Sequence, residues 1–102
     1  MKGKAVRKAV AVEPAIKKTN LARLRRIEGQ IRGLQRMVEE DRYCADIIEQ
    51  IASAQQALRG VARALMRNHL QHCATHAITH GTQTDAAAMY DELLELIYKH
   101  LR

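Results

Sequence analysis

Leu21, Leu24, Ile27, Ile31, Leu34 and Val38 recur at spacings of three and four, which aligns them along one side of a helix ending near Glu40. Thr19 or Asn20 is placed to cap its start. Asp41 to Tyr43 read as a short corner, after which a second helix opens near Cys44. Its stripe passes through Ile47, Ile48, Ile51, Leu58, Ala62, Leu65 and Met66 to His69 and Cys73, close to 30 residues in all. A globular helix averages ~10–14 residues, so one this long is expected to pack along its length against a neighbour or a copy of itself. Gly81 to Asp85 is the clearest loop. Asp85 is expected to cap a third helix with the stripe Met89, Leu93, Leu96, Ile97 and Leu101. With no period-two alternation to suggest a strand, the expected fold is all-α, a three-helix protomer.

Composition strengthens the case for assembly. At 102 residues the chain is one small domain, with three tyrosines and neither Phe nor Trp to fill a core. Its apolar supply is Ala, Leu, Ile, Val and Met, mostly good helix formers. A unit of this kind leaves an apolar face to cover, so at least a homodimer is expected. Gly29 and Gly33 thin out the first helix, where another backbone has room to approach, and Gly60 is the one weak point of the second.

Charge points to an acidic partner. Lys and Arg number 17 against 11 Asp and Glu, a net charge of +6, and the excess lies early in the chain. Lys2, Lys4, Arg7, Lys8, Lys17 and Lys18 fall in residues 1–18, which show no clean period and read as a flexible basic arm ahead of a domain over 19–102. Arg25, Arg32 and Arg36 share a face of the first helix that suits either phosphate contacts or plain solvation. No stretch approaches the ~20 apolar residues of a membrane span, and the basic N-terminus lacks the apolar core of a signal peptide. A cytoplasmic protein is expected, with its thiols kept reduced.

Cys44 and Cys73 are the only cysteines, and His69 lies four residues before the second. An i, i+4 pair projects from one helix face and can offer two ligands to one metal ion. Cys44 lies 25 residues before His69, so a continuous helix would hold the two roughly 38 Å apart. One chain cannot close a three-ligand site without breaking that helix, whereas two antiparallel copies can. Two thiolates and an imidazole suit Cu(I), Zn(II) or Ni(II), with Cu(I) tolerating three ligands and zinc normally taking four. The competing reading makes both cysteines small buried hydrophobes and His69 a satisfied core histidine. His72, His76 and His80 form a second row, either solvated or supplying a further ligand through His76.

From about Leu21 to Leu101 the chain resembles the copper-sensitive operon repressor (CsoR) family. The resemblance is carried by Leu21-Ala-Arg-Leu-Arg-Arg-Ile-Glu-Gly-Gln-Ile-Arg-Gly-Leu, Asp41-Arg-Tyr-Cys-Ala-Asp-Ile, Gln50-Ile-Ala-Ser-Ala and Asn68-His-Leu-Gln-His-Cys. It implies a repressor that binds double-stranded operator DNA without a helix-turn-helix. The protomers would form an antiparallel dimer with a four-helix core, commonly doubled to a tetramer. It also implies Cu(I) held by Cys44 of one subunit with His69 and Cys73 of the other, supported by Tyr43 and Glu92. Arg23 and Arg59 match positions tied to operator binding. Formaldehyde sensors of the family usually lack the last cysteine and persulfide sensors the histidine.

The expected function is therefore a Cu(I)-responsive repressor that releases its operator on binding the metal, with derepression of copper-resistance genes. A Ni(II) or sulfur-species sensor on the same fold is the alternative, though the arm lacks the histidine that would favour nickel. A copper buffer without a DNA role would have no use for the basic face. No nucleophile–base pair or phosphate loop suggests an enzyme.

Overall fold

A computed structural model of the chain describes residues 7–9 and 11–100. The described residues are helical apart from short links and the segment before Pro14, and they fall into two compact units. Lys2 and Lys4 of the arm, and Leu101 at the end of the third predicted stripe, lie outside the described residues.

The first unit, residues 13–66, is a helical hairpin. Helix α1 spans Pro14–Glu39, its N-cap six or seven residues ahead of the expected cap at Thr19 or Asn20. Proline accounts for the difference: its fixed φ and missing N–H suit the first helical turn. Glu13 is the N-cap residue, and the segment expected as arm is helical from Pro14 onward. Asn20 lies inside α1, 5% exposed, and neither end of its amide finds a partner among the described residues. The corner forms as the pattern predicts. Asp41 takes a left-handed φ of 53°, while its N–H bonds to Val38 O at 3.2 Å and that of Arg42 to Met37 O at 3.0 Å. These are the two closing bonds of a Schellman motif, which commonly uses Gly or Asn at the position Asp41 fills.

Helix α2, Cys44–Asn68, runs antiparallel to α1: Gln50 shares a cleft with Gln30, Gly33 and Met37 near the corner, and Ala64 shares one with Ile16, Asn20 and Arg23 near the open end. Ile27, Ala54 and Val61 are the buried apolar residues of this unit. The α1 stripe is otherwise little covered. Leu21, Leu24 and Ile31 stay about 42% exposed and Val38 60%, as do Ile48 at 64% and Leu58 at 45% on α2. Nothing among the described residues comes within 4 Å of a Cβ built on Gly29, Gly33 or Gly60, so the close approach expected there does not occur among them.

In the second unit the helix changes character. His69–Ala74 form a π-helical turn, followed by α3, Thr75–His80. The single α-helix expected through Cys73 is thus widened at the two residues of chemical interest. Thr75 closes the turn, its hydroxyl donating to Leu70 O at 2.9 Å while its N–H turns to His72 O. Helix α4, Gln83–His100, follows a link of two residues. The cap belongs to Thr82 rather than Asp85: Asp85 N–H donates to Thr82 Oγ1 at 3.1 Å, and Thr82 N–H to Asp85 Oδ2 at 2.9 Å. Asp85 fills the third position of this reciprocal box.

Candidate metal centre

Three helical pieces of the second unit build a cavity of about 530 Å³. The π turn contributes His69 and Cys73, α3 contributes His76 and Ala77, and α4 contributes Asp85, Ala88, Met89 and Glu92. Four residues overshoot one turn of an α-helix and fall short of one turn in an i→i+5 helix, so His69 and Cys73 share a side in either geometry. On α4, Asp85, Ala88, Met89 and Glu92 follow the three- and four-residue spacing that gathers side chains onto one face.

Cys73 is buried and free of any disulfide. Its Sγ makes a long contact, 3.9 Å, with Ala11 O, which also accepts a 3.0 Å bond from Asn68 Nδ2. Arg7, Lys8 and Ala9 line the same cavity, and Arg7 Nη2 stands 3.6 Å from Glu92 Oε2. His69 Nε2 lies 3.5 Å from the other oxygen, Oε1. That contact lies within ion-pair range but lacks hydrogen-bond geometry, so Nε2 is buried without a hydrogen-bond partner among the described residues.

Of the residues selected from the sequence, His69, Cys73 and Glu92 come together here. Cys44 does not. It is exposed and opens α2, at the other end of that 25-residue helix from His69. Tyr43 precedes it in the corner, 73% exposed. Among the described residues no three His, Cys, Asp or Glu side chains are placed to hold a metal by themselves. The donors nonetheless fit a soft ion: a buried thiol, a buried imidazole nitrogen without a hydrogen-bond partner and a carboxylate facing that ring. His76 lines the cavity and stacks edge-on against His80, with ring centroids 5.1 Å apart.

The arginines divide between faces. Arg25, Arg32 and Arg36 lie exposed along one side of α1, with Arg32 3.6 Å from Glu28. Arg23 is about 160° around the helix from Arg25 at 100° per residue, where it borders the cleft with Asn20 and Ala64. Arg59 is exposed on α2.

Sequence reasoning did not identify Arg7, Asn68 or Ala11 as neighbours of the site. Contacts between a coil segment and a helix some 60 positions away leave no periodic trace in either segment. Met89 was visible only as an apolar position.

These helices and this donor set define a family: the metal-sensitive transcriptional repressors match residues 16–99, and the chain belongs to them. The copper-sensing transcriptional repressor RicR of Mycobacterium tuberculosis is 54% identical over 59 residues, 58% of this chain and 62% of that protein. The chain thus spans less than two thirds of that relative's length. The copper-sensing repressor CsoR of Bacillus subtilis is 48% identical over 77 residues, 76% of this chain and 73% of its own. Among solved structures, the Cu(I)-bound CsoR of Geobacillus thermodenitrificans superposes with a TM-score of 0.81 at 34% identity, covering 97% of this chain and all of that one. A variant of the formaldehyde-responsive regulator FrmR of Salmonella enterica gives 0.71 at 30% identity, covering 89% and 100%. No helix among the described residues is long and apolar enough to cross a membrane.

Proposed function

We propose that this protein is a Cu(I)-responsive repressor whose metal site is shared between subunits, with Cys44 from one chain and His69 and Cys73 from another. The observation that carries this reading is the placement of the donors. His69 and Cys73 meet in one cavity, while Cys44 stands exposed at the far end of α2. An antiparallel neighbour would bring its own α2 N-terminus to that cavity. The exposed leucines and isoleucines of α1 and α2 supply the face for it, and two such dimers would make a tetramer. Cu(I) when bound supplies a thiolate-preferring centre that ties the two subunits at this point.

The chain's own groups prepare that centre. Glu92 faces His69 Nε2, which favours the tautomer with its proton there and leaves Nδ1 with a lone pair for a metal. Loss of the Cys73 proton removes the donor of the contact to Ala11 O and so alters the hold on the N-terminal segment. Operator DNA would be bound by Arg25, Arg32 and Arg36, with Arg23, Arg59 and the N-terminal segment adding phosphate contacts. Metal binding would favour the low-affinity state, in the cytosol, and derepress copper-resistance genes. Titration with Cu(I), Ni(II) and Zn(II), each followed by operator release, tests this. Release by Cu(I) alone is expected. Release by Ni(II) alone, or no DNA binding by the metal-free protein, would overturn it.

A further inference from the structure

Met89 is the buried residue of α4, 9% exposed, and it faces the cavity that holds His69 and Cys73. The leucines and isoleucine of that helix lie elsewhere: Leu93 and Leu96 are half-buried, Leu94 and Ile97 exposed, and none of them lines the cavity, where Ala88 is the other apolar side chain of α4. The helix therefore places a methionine in the lining of the cavity that holds the thiol and the imidazole, where a leucine would fill space equally well. Glu92, one turn on, borders the same cavity and faces His69, so this side of α4 is already engaged with the site.

We propose that Met89 is a further soft contact for the metal, a neutral thioether that biases the site toward Cu(I) over Ni(II) and Zn(II). The inference rests on the Cu(I) reading above and deepens it. Thioether sulfur favours Cu(I) and offers little to borderline divalent ions, which prefer imidazole and oxygen ligands or thiolate. Met89 adds no charge to a site already supplied with thiolates and bordered by Glu92. A weak thioether beside a three-ligand site would bias the choice of ion without making its release slow. Its effect is thus on selectivity more than on the existence of the site.

Met89→Leu tests this, because the exchange nearly conserves volume and apolarity and should leave packing intact. Cu(I) affinity of the assembled full-length protein, measured by competition with a Cu(I) chelator, should fall roughly 10-fold, the lower end of what loss of a group supporting a metal site costs. Ni(II) and Zn(II) affinities should stay unchanged, as should all three in the control Met37→Leu, which lies in the hairpin unit. Copper X-ray absorption on selenomethionine-grown protein should show a copper–selenium path that Met89→Leu abolishes. Undiminished Cu(I) affinity, an equal loss for all three metals, or no copper–selenium path in the parent would each overturn the role of Met89 while leaving the repressor reading intact. Absence of Cu(I) binding by the unsubstituted protein would overturn both.

Discussion

Glu92 Oε1 stands 3.5 Å from His69 Nε2, so one carboxylate on α4 lies within ion-pair range of the imidazole of the π turn. Glu92→Gln keeps the shape but removes the charge that favours a proton on Nε2. Cu(I) affinity should fall by roughly 10–100-fold, the usual cost of losing such an orienting partner, with assembly unaffected. A chelator competition experiment checks this, and an unchanged affinity would show that His69 needs no support from α4.

Cys44→Ala should give an oligomer that still binds operator DNA but no longer releases it with Cu(I). One thiolate of the proposed three is lost, while the basic face of α1 is untouched. Normal copper-dependent release by this variant would remove Cys44 from the site.

Subunit sharing has a direct test by complementation. Cys44→Ala chains and His69→Ala/Cys73→Ala chains each lack a complete site as homodimers. Mixed by unfolding and refolding, they should form heterodimers with one intact site and one that lacks every ligand. Tight Cu(I) binding should return at up to half the sites of those heterodimers. If mass spectrometry confirms heterodimers and binding stays lost, the antiparallel arrangement is wrong.

Removal of residues 1–12 leaves α1 whole, since it starts at Pro14. This truncation and Arg23→Ala should each weaken operator binding. Each lost phosphate contact should flatten the slope of log K against log salt by about 0.9. Binding isotherms at several salt concentrations give the slopes, and slopes equal to those of the parent would move the DNA interface away from both.

Much of this structure was legible because helices write their faces into the sequence. The α1 stripe, the corner ahead of Cys44 and the pairing of His69 with Cys73 all follow from spacing. Other features depend on bonds that spacing does not record. Pro14 sets the start of α1 through the geometry of its ring, against the capping preference of Thr19 and Asn20. The π turn is closed by the Thr75 hydroxyl reaching Leu70 O, a choice made by one side chain. Thr82 and Asp85 divide a cap that the sequence alone assigned to Asp85. The α1 stripe predicted a buried face, but within one chain only Ile27 of its six residues is buried, which spacing alone could not reveal.

Gly81 is needed for lack of room rather than for an unusual φ. A Cβ there would lie 2.5 Å from Ala77 O and 2.8 Å from Asp85 Cβ. Gly81→Ala should therefore destabilise the second unit by roughly 1–3 kcal/mol, as overpacking does. Thermal unfolding of the assembled protein measures this. A variant as stable as the parent would mean that the link yields easily.

That tight link acts as an index between α3 and α4. Gly81 N–H donates to Ala77 O at 3.1 Å, and the Thr82–Asp85 box starts the next helix at once, with no slack to absorb a change in chain length. One residue inserted within α4, between Asp85 and Ala88, would advance everything after it by about 100°. Met89 and Glu92 would leave the cavity together, one taking its sulfur and the other the carboxylate that faces His69. The tuning of this site is therefore geared to a count of residues as much as to their identity. A single-codon insertion, neutral in charge and hydropathy, would be enough to detune the sensor.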